Sequence, residues 1–64
     1  MKLWIARDKN NDLALYTAKP MLCYNKYFDG HSPQMIAIEI DESLFPEVTF
    51  ENSPQQVEIK LVME

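Results

Sequence analysis

Apolar and polar residues alternate at the start of the chain. Leu3 and Ile5 interleave with Lys2, Trp4 and Ala6, and Leu13 and Leu15 interleave with Asp12, Ala14 and Tyr16. A period of two marks a half-buried strand, because successive side chains leave a pleated chain on opposite faces. Between the two runs lies Asp8-Lys9-Asn10-Asn11-Asp12. Asn and Asp tolerate positive φ and bond their own backbone, so this run predicts a turn and residues 2–17 a hairpin. Leu3, Ile5, Leu13 and Leu15 then share one face, and Trp4, Ala6, Ala14 and Tyr16 the other. A solvated second face does not ordinarily carry a Trp beside a Tyr, so the pattern calls for a cover, from the chain or from a partner.

Lys19-Pro20 ends the second strand, since proline cannot donate to a ladder. Residues 21–28, M-L-C-Y-N-K-Y-F, predict a third strand on the β-forming character of Tyr24, Tyr27 and Phe28. Asp29-Gly30, with the chain's only glycine, predicts a turn. Residues 35–40 alternate most clearly and predict a central strand, with Ile36, Ile38 and Ile40 facing the core. Asp41 and Ser43 can cap and Pro46 can stop, so a short helical turn is expected near Ser43–Phe45, tucking Leu44 and Phe45 over an open end of the core. Residues 48–50 read as a short edge strand, Asn52-Ser53-Pro54 as a turn, and residues 57–63 as a closing strand. No segment holds a helical period beyond one turn. The expected fold is therefore all-β: one small domain over residues 1–64, a twisted antiparallel sheet of four or five strands, left open or curled into an open barrel. Leu3, Ile36 and Val57 would belong to a single apolar layer.

Length makes that layer precarious. Sixty-four residues bury only about 60% of their unfolded surface, and scaffolds this small usually add a disulfide, a metal or association. Cys23 is the only cysteine, which excludes an internal disulfide and suits a reducing compartment. No apolar segment follows Met1-Lys2 and no run approaches the ~20 residues of a membrane span, so a cytoplasmic protein is expected. His31 with nearby Asp29 falls short of the three or four ligands zinc requires. Self-association remains as the expected support. Cys23 reads as a buried or half-buried structural thiol, because activating it needs a base that nothing places beside it. Asp41 and Glu42 are neighbours whose side chains diverge, one glycine cannot build a phosphate-cradling loop, and a β domain of this size leaves little room for a pocket. Neither an enzyme, a cofactor, a metal nor a small-molecule substrate is expected.

Charge divides the chain. Residues 1–32 hold five Lys or Arg against three acids, and residues 33–64 one Lys against seven acids, within a net charge of −4. The overall sign opposes general affinity for nucleic acid, which rests on phosphate neutralisation. The acidic half suggests a surface that mimics nucleic acid, although outward strand positions account for Glu39, Glu51 and Glu58 without a partner. The aromatics are more pointed: Trp4 and Tyr16 share a parity with Lys2, and Tyr24 or Tyr27 can join them, with Trp4, Tyr16, Lys2 and Tyr24 as the candidate partner-binding set. Such residues serve protein contacts, stack single-stranded nucleic acid, or form a second small core under the C-terminal loop. The leading reading is a protein-binding accessory module that associates with itself. The alternative is a small nucleic-acid-binding β domain using the basic, aromatic half.

The start L-W-I-A-R-D-K-N-N-D-L-A-L-Y with Lys19-Pro20, the run S-L-F-P-E-V-T-F-E-N-S-P and a closing V-E-I strand resemble a group of short uncharacterised bacterial and phage-borne proteins with no established activity. The resemblance spans nearly the whole chain, with residues 21–35 carrying least of it. Ala14 stands where Tyr or Phe is more usual, and Phe50 where Trp is. The resemblance implies a cytoplasmic accessory protein of mobile-element origin with no inherited catalytic residue.

Overall fold

The N-terminal hairpin forms as its alternation predicts. In the computed structural model, which describes residues 2–30 and 34–60, strand β1 (Lys2–Arg7) pairs antiparallel with β2 (Leu13–Tyr16), setting Trp4 opposite Tyr16, Ile5 opposite Leu15 and Arg7 opposite Leu13. The turn closes by Asp8 N–H donating to the Asp12 carbonyl at 2.8 Å and Asn11 N–H to the Asp8 carbonyl at 2.9 Å. Asn11 takes φ 83°, the left-handed conformation that asparagine tolerates. The Asn10 side chain accepts from Asp12 N–H at 3.1 Å, a local bond that competes with strand pairing and favours the turn.

Two further strands flank the hairpin. The sheet order is β5-β2-β1-β6, with β5 (Ala37–Ile40) on β2 and β6 (Gln55–Glu58) on β1, every pairing antiparallel. Among the described residues the sheet is open, with β5 and β6 as its two edges, and does not close into a barrel. The strand expected to be central is thus an edge. Leu15 pairs with Ile38 and Leu13 with Ile40, so Ile40 packs on the core while Ile36 and Ile38 remain 59% and 56% exposed. Alternation predicts which residues share a face, but it carries no information on how many neighbours a strand has.

Residues 21–28 fold as a tight hairpin, β3 (Met21–Cys23) against β4 (Lys26–Phe28), rather than the single expected strand. Tyr24 takes φ 57° at the turn, an unusual place for an aromatic residue and the reason composition misread it. The hairpin crosses the β1–β2 turn, with Asp8 Oδ1 accepting from Tyr27 N–H at 2.8 Å and the Asn25 carbonyl from Lys9 N–H at 3.0 Å. Gly30 follows at φ 67°.

Residues 41–54 are irregular. No helical turn forms at Ser43–Phe45; Leu44 N–H bonds the Asp41 carbonyl and Val48 N–H the Phe45 carbonyl, at 3.0 and 2.9 Å, as successive turns, with Phe45 at φ 50°. Residues 48–50 are not a strand either. Thr49 and Asn52 bond each other's backbone instead, at 2.8 and 3.2 Å, and the Ser53–Pro54 peptide bond is cis. The closing strand begins earlier than expected, at Gln55, and ends at Glu58; residues 61–63 of the expected strand lie outside the described residues.

Among the described residues there are two apolar layers, not one. Ile5 and Leu13, each 1% exposed, pack with Val48 on one face of the sheet, supported by Leu15, Ile40 and Val57. Ala6, Tyr16 and Tyr27 pack on the other, with Trp4, Ala14, Met35 and Phe50. Full burial contributes roughly 1.5–3 kcal/mol for each large aliphatic side chain. A thin chain therefore gains by covering both faces of its one good hairpin.

Candidate interaction surfaces

Arg7 shares its parity with Leu3 and Ile5 and so points into the aliphatic layer, where it is 6% exposed. Its Nε donates to the Val48 carbonyl at 2.6 Å, Nη1 to the Asn11 carbonyl, the Asn11 Oδ1 and the Glu42 carbonyl at 3.0, 3.1 and 2.9 Å, and Nη2 to the Leu44 and Phe45 carbonyls at 2.9 and 3.2 Å. Five N–H groups thus serve six oxygens, none of them a carboxylate. This guanidinium stands in for the hydrogen bonds that a helix or strand would have given residues 42–48. A pocket of about 320 Å³ borders it, yet no donor is left to grip an anion. Sequence reading passed Arg7 over as one more charge; the signal available was its odd parity among buried positions.

The aromatic face is closed from within. Tyr16 and Trp4 are cross-strand partners, as expected, but Tyr16 is 5% exposed and its hydroxyl donates to the Tyr27 carbonyl at 3.2 Å. Burial foremost, then Asp8, Asp29 and Glu39, raises the Tyr16 hydroxyl above its ordinary pKa. Tyr27 stands edge-on to Phe50, centroids 5.9 Å apart, and donates to the Ser53 carbonyl at 2.7 Å. Its hydroxyl is raised too, by burial and then by Asp8. Trp4 is half-buried, and Lys19 Nζ lies 5.7 Å from its ring centroid. Lys2 is exposed at the start of β1, whereas Tyr24 sits 92% exposed at the β3–β4 turn, away from the other three. The four candidate residues do not assemble into an open platform. Trp4 and Tyr16, with Tyr27 and Phe50, form the second core that the sequence allowed.

The aliphatic face is incompletely covered. Residues 42–48 lie over its Leu13 end, and a groove of about 450 Å³ opens beside them, floored by Ile5, Leu15, Phe45, Val48, Val57 and Ile59. This is more concavity than the length suggested. Glu47, Glu58 and Gln55 complete its walls. Across Leu15, the same face continues to Ile38 on the edge strand.

The remaining candidates offer less. Cys23 is exposed on β3, not buried, because it lies in a hairpin that touches the core mainly through Tyr27. Asp41 Oδ1 accepts from Ser43 N–H at 2.8 Å, and bonds from Ser43 hold the Asp41 carboxyl below its ordinary range. Glu39, Glu51 and Glu58 are exposed. His31 lies outside the described residues, among which no group of three or more His, Cys, Asp or Glu could hold a metal. No helix among the described residues is long and apolar enough to cross a membrane. Comparison with protein-family models, curated proteins and solved structures found no match, so function is argued from these surfaces.

Proposed function

We propose that this protein is a cytoplasmic protein-binding accessory module that associates with itself along the outer edge of β5. The observation that carries the reading is Ile36 and Ile38, both more than half exposed beside a strand with one neighbour among the described residues. Natural edge strands are usually blunted by lysine, proline or a bulge; the Ala37–Ile40 edge has none of these and a single acid, Glu39. The resemblance to short bacterial and phage-borne proteins supports an accessory role of mobile-element origin.

Register follows from charge. Antiparallel pairing about Ile38 sets Ile38 against Ile38 of the second copy, Ile36 against Ile40, and Ala37 against Glu39. All six isoleucines then share one face, and the two acids are kept apart. Centring the pair on Glu39 opposes like charges and is disfavoured. Ile36 and Ile38 of both copies gain about 1 kcal/mol each, or about 4 kcal/mol together, by burying the exposed remainder. Association costs about 4 kcal/mol or more in lost freedom, so strand hydrogen bonds supply the surplus. A dissociation constant of about 0.1–1 mM is expected.

Sedimentation equilibrium from about 10 μM to 1 mM tests this range. A monomer–dimer equilibrium that Ile38→Lys abolishes is the expected result. A wild-type chain that stays monomeric throughout, or a dimer indifferent to Ile38→Lys, refutes the reading.

A further inference from the structure

The groove lies on the aliphatic face at its β6 end, and β6 is the second edge of the sheet among the described residues. Its floor is aliphatic and aromatic, and the two charged residues that border it, Glu47 on the loop and Glu58 at the β6 rim, are acidic and exposed. Neither forms an ion pair among the described residues, although Lys2 is the cross-strand neighbour of Glu58. We propose that this groove and the β6 edge bind an extended peptide segment of another protein in which apolar residues alternate with lysine or arginine.

The alternation follows from the register. A strand added beside β6 bonds through its backbone, and its side chains alternate between the two faces of the sheet. Residues opposite Val57 fall on the groove side, where the apolar floor accepts an aliphatic side chain. Glu58 borders the groove only at its rim: by its register with Lys2 its side chain belongs to the other face, so a residue opposite it falls on that face, where a cross-strand cation meets its carboxylate. Glu47, on the loop above the groove, adds a second negative charge near the bound strand. A net charge of −4 steers a basic segment to the protein and repels an acidic one. Because this surface shares no strand with the β5 edge, it stands or falls independently of self-association.

The test is an amide-shift titration of the labelled full chain carrying Ile38→Lys, so that β5 pairing does not intervene. The probe is acetyl-Val-Lys-Val-Lys-Val-amide, with acetyl-Val-Glu-Val-Glu-Val-amide as its acidic counterpart. Saturable shifts confined to residues 45–48 and 55–59 are expected for the basic peptide alone. Glu58→Lys, an exposed substitution, should weaken it by about five- to tenfold and reverse the preference toward the acidic peptide. Glu58→Gln should fall between. Binding that ignores peptide charge, shifts that map to β5 or the β3–β4 hairpin, or no saturation at millimolar peptide each overturn the proposal.

Discussion

Replacing Arg7 by lysine keeps the charge and removes the fork. The guanidinium holds six oxygens through five N–H groups, whereas an ammonium has three donors on one atom and cannot reach both sides of the loop. At least three bonds are lost. The carbonyls of Glu42, Leu44 and Phe45 belong to exposed residues, so water replaces their partners, and each loss costs about 0.5–1.5 kcal/mol at most. The Val48 carbonyl belongs to a residue only 4% exposed; left unpaired, it costs about 1–3 kcal/mol. The sum for Arg7→Lys is about 2.5–7.5 kcal/mol, against a total stability of about 3–10 kcal/mol for a chain of this length. Arg7→Met loses all six bonds and falls further, although it avoids burying a charge. Urea titration followed by Trp4 fluorescence reads the loss, because Trp4 lies on the opposite face of β1 and is not disturbed directly. With a slope near 1 kcal/mol/M, the midpoint of Arg7→Lys should drop by about 2 M or more. Hydrogen exchange at the Leu44 and Val48 amides, which close the loop's own turns, should accelerate before the sheet amides do. An Arg7→Lys midpoint equal to wild type, with Leu44 and Val48 equally protected, would mean that the loop stands on its turns alone and that the guanidinium is incidental.

Other predictions concern the second face and its turn. Tyr27→Phe removes the 2.7 Å bond to the Ser53 carbonyl while keeping the edge-on packing on Phe50, and should cost about 1 kcal/mol in urea titration. Tyr27→Ala should cost about 3–5 kcal/mol and detach the β3–β4 hairpin, seen as lost exchange protection at Lys9. Gly30→Ala introduces a Cβ 2.8 Å from Met21 Sδ at φ 67°, so a destabilisation of about 1 kcal/mol is expected, which Met21→Ala should partly relieve. The raised Tyr16 hydroxyl predicts an alkaline limit. A folded pKa above the unfolded value of about 10 means the contribution is complete below that value and is lost as pH rises through the folded one. Thermal melts between neutral pH and pH about 11 should fall more steeply for wild type than for Tyr16→Phe.

Local chemistry was readable where it acts locally. The Asp8–Asp12 turn, the β1–β2 hairpin and the alternation of Ile38 with Glu39 follow from side-chain period and turn propensity, which depend on near neighbours alone. The all-β class follows from the same periods. Residues 21–28 were misread because their β-forming composition is also that of a hairpin, and a tyrosine in the left-handed region gives no warning at its tip. The surfaces were less legible. Trp4 and Tyr16 were correctly placed side by side, but only the fold of Tyr27 and Phe50 across them decided that they form a core.

What the amino-acid order determined alone, then, is the pleat: which residues face together along each strand, and the reversal at Asp8–Asp12. What the tertiary structure decided is neighbourhood. It put β5 at an edge, so that Ile36 and Ile38 are exposed; it brought the carbonyls of residues 42–48 around Arg7, 35 or more positions away; and it left a groove between Val57 and Phe45. Each depends on contacts between segments distant in sequence, and a pattern of period two carries no information about which distant segment arrives.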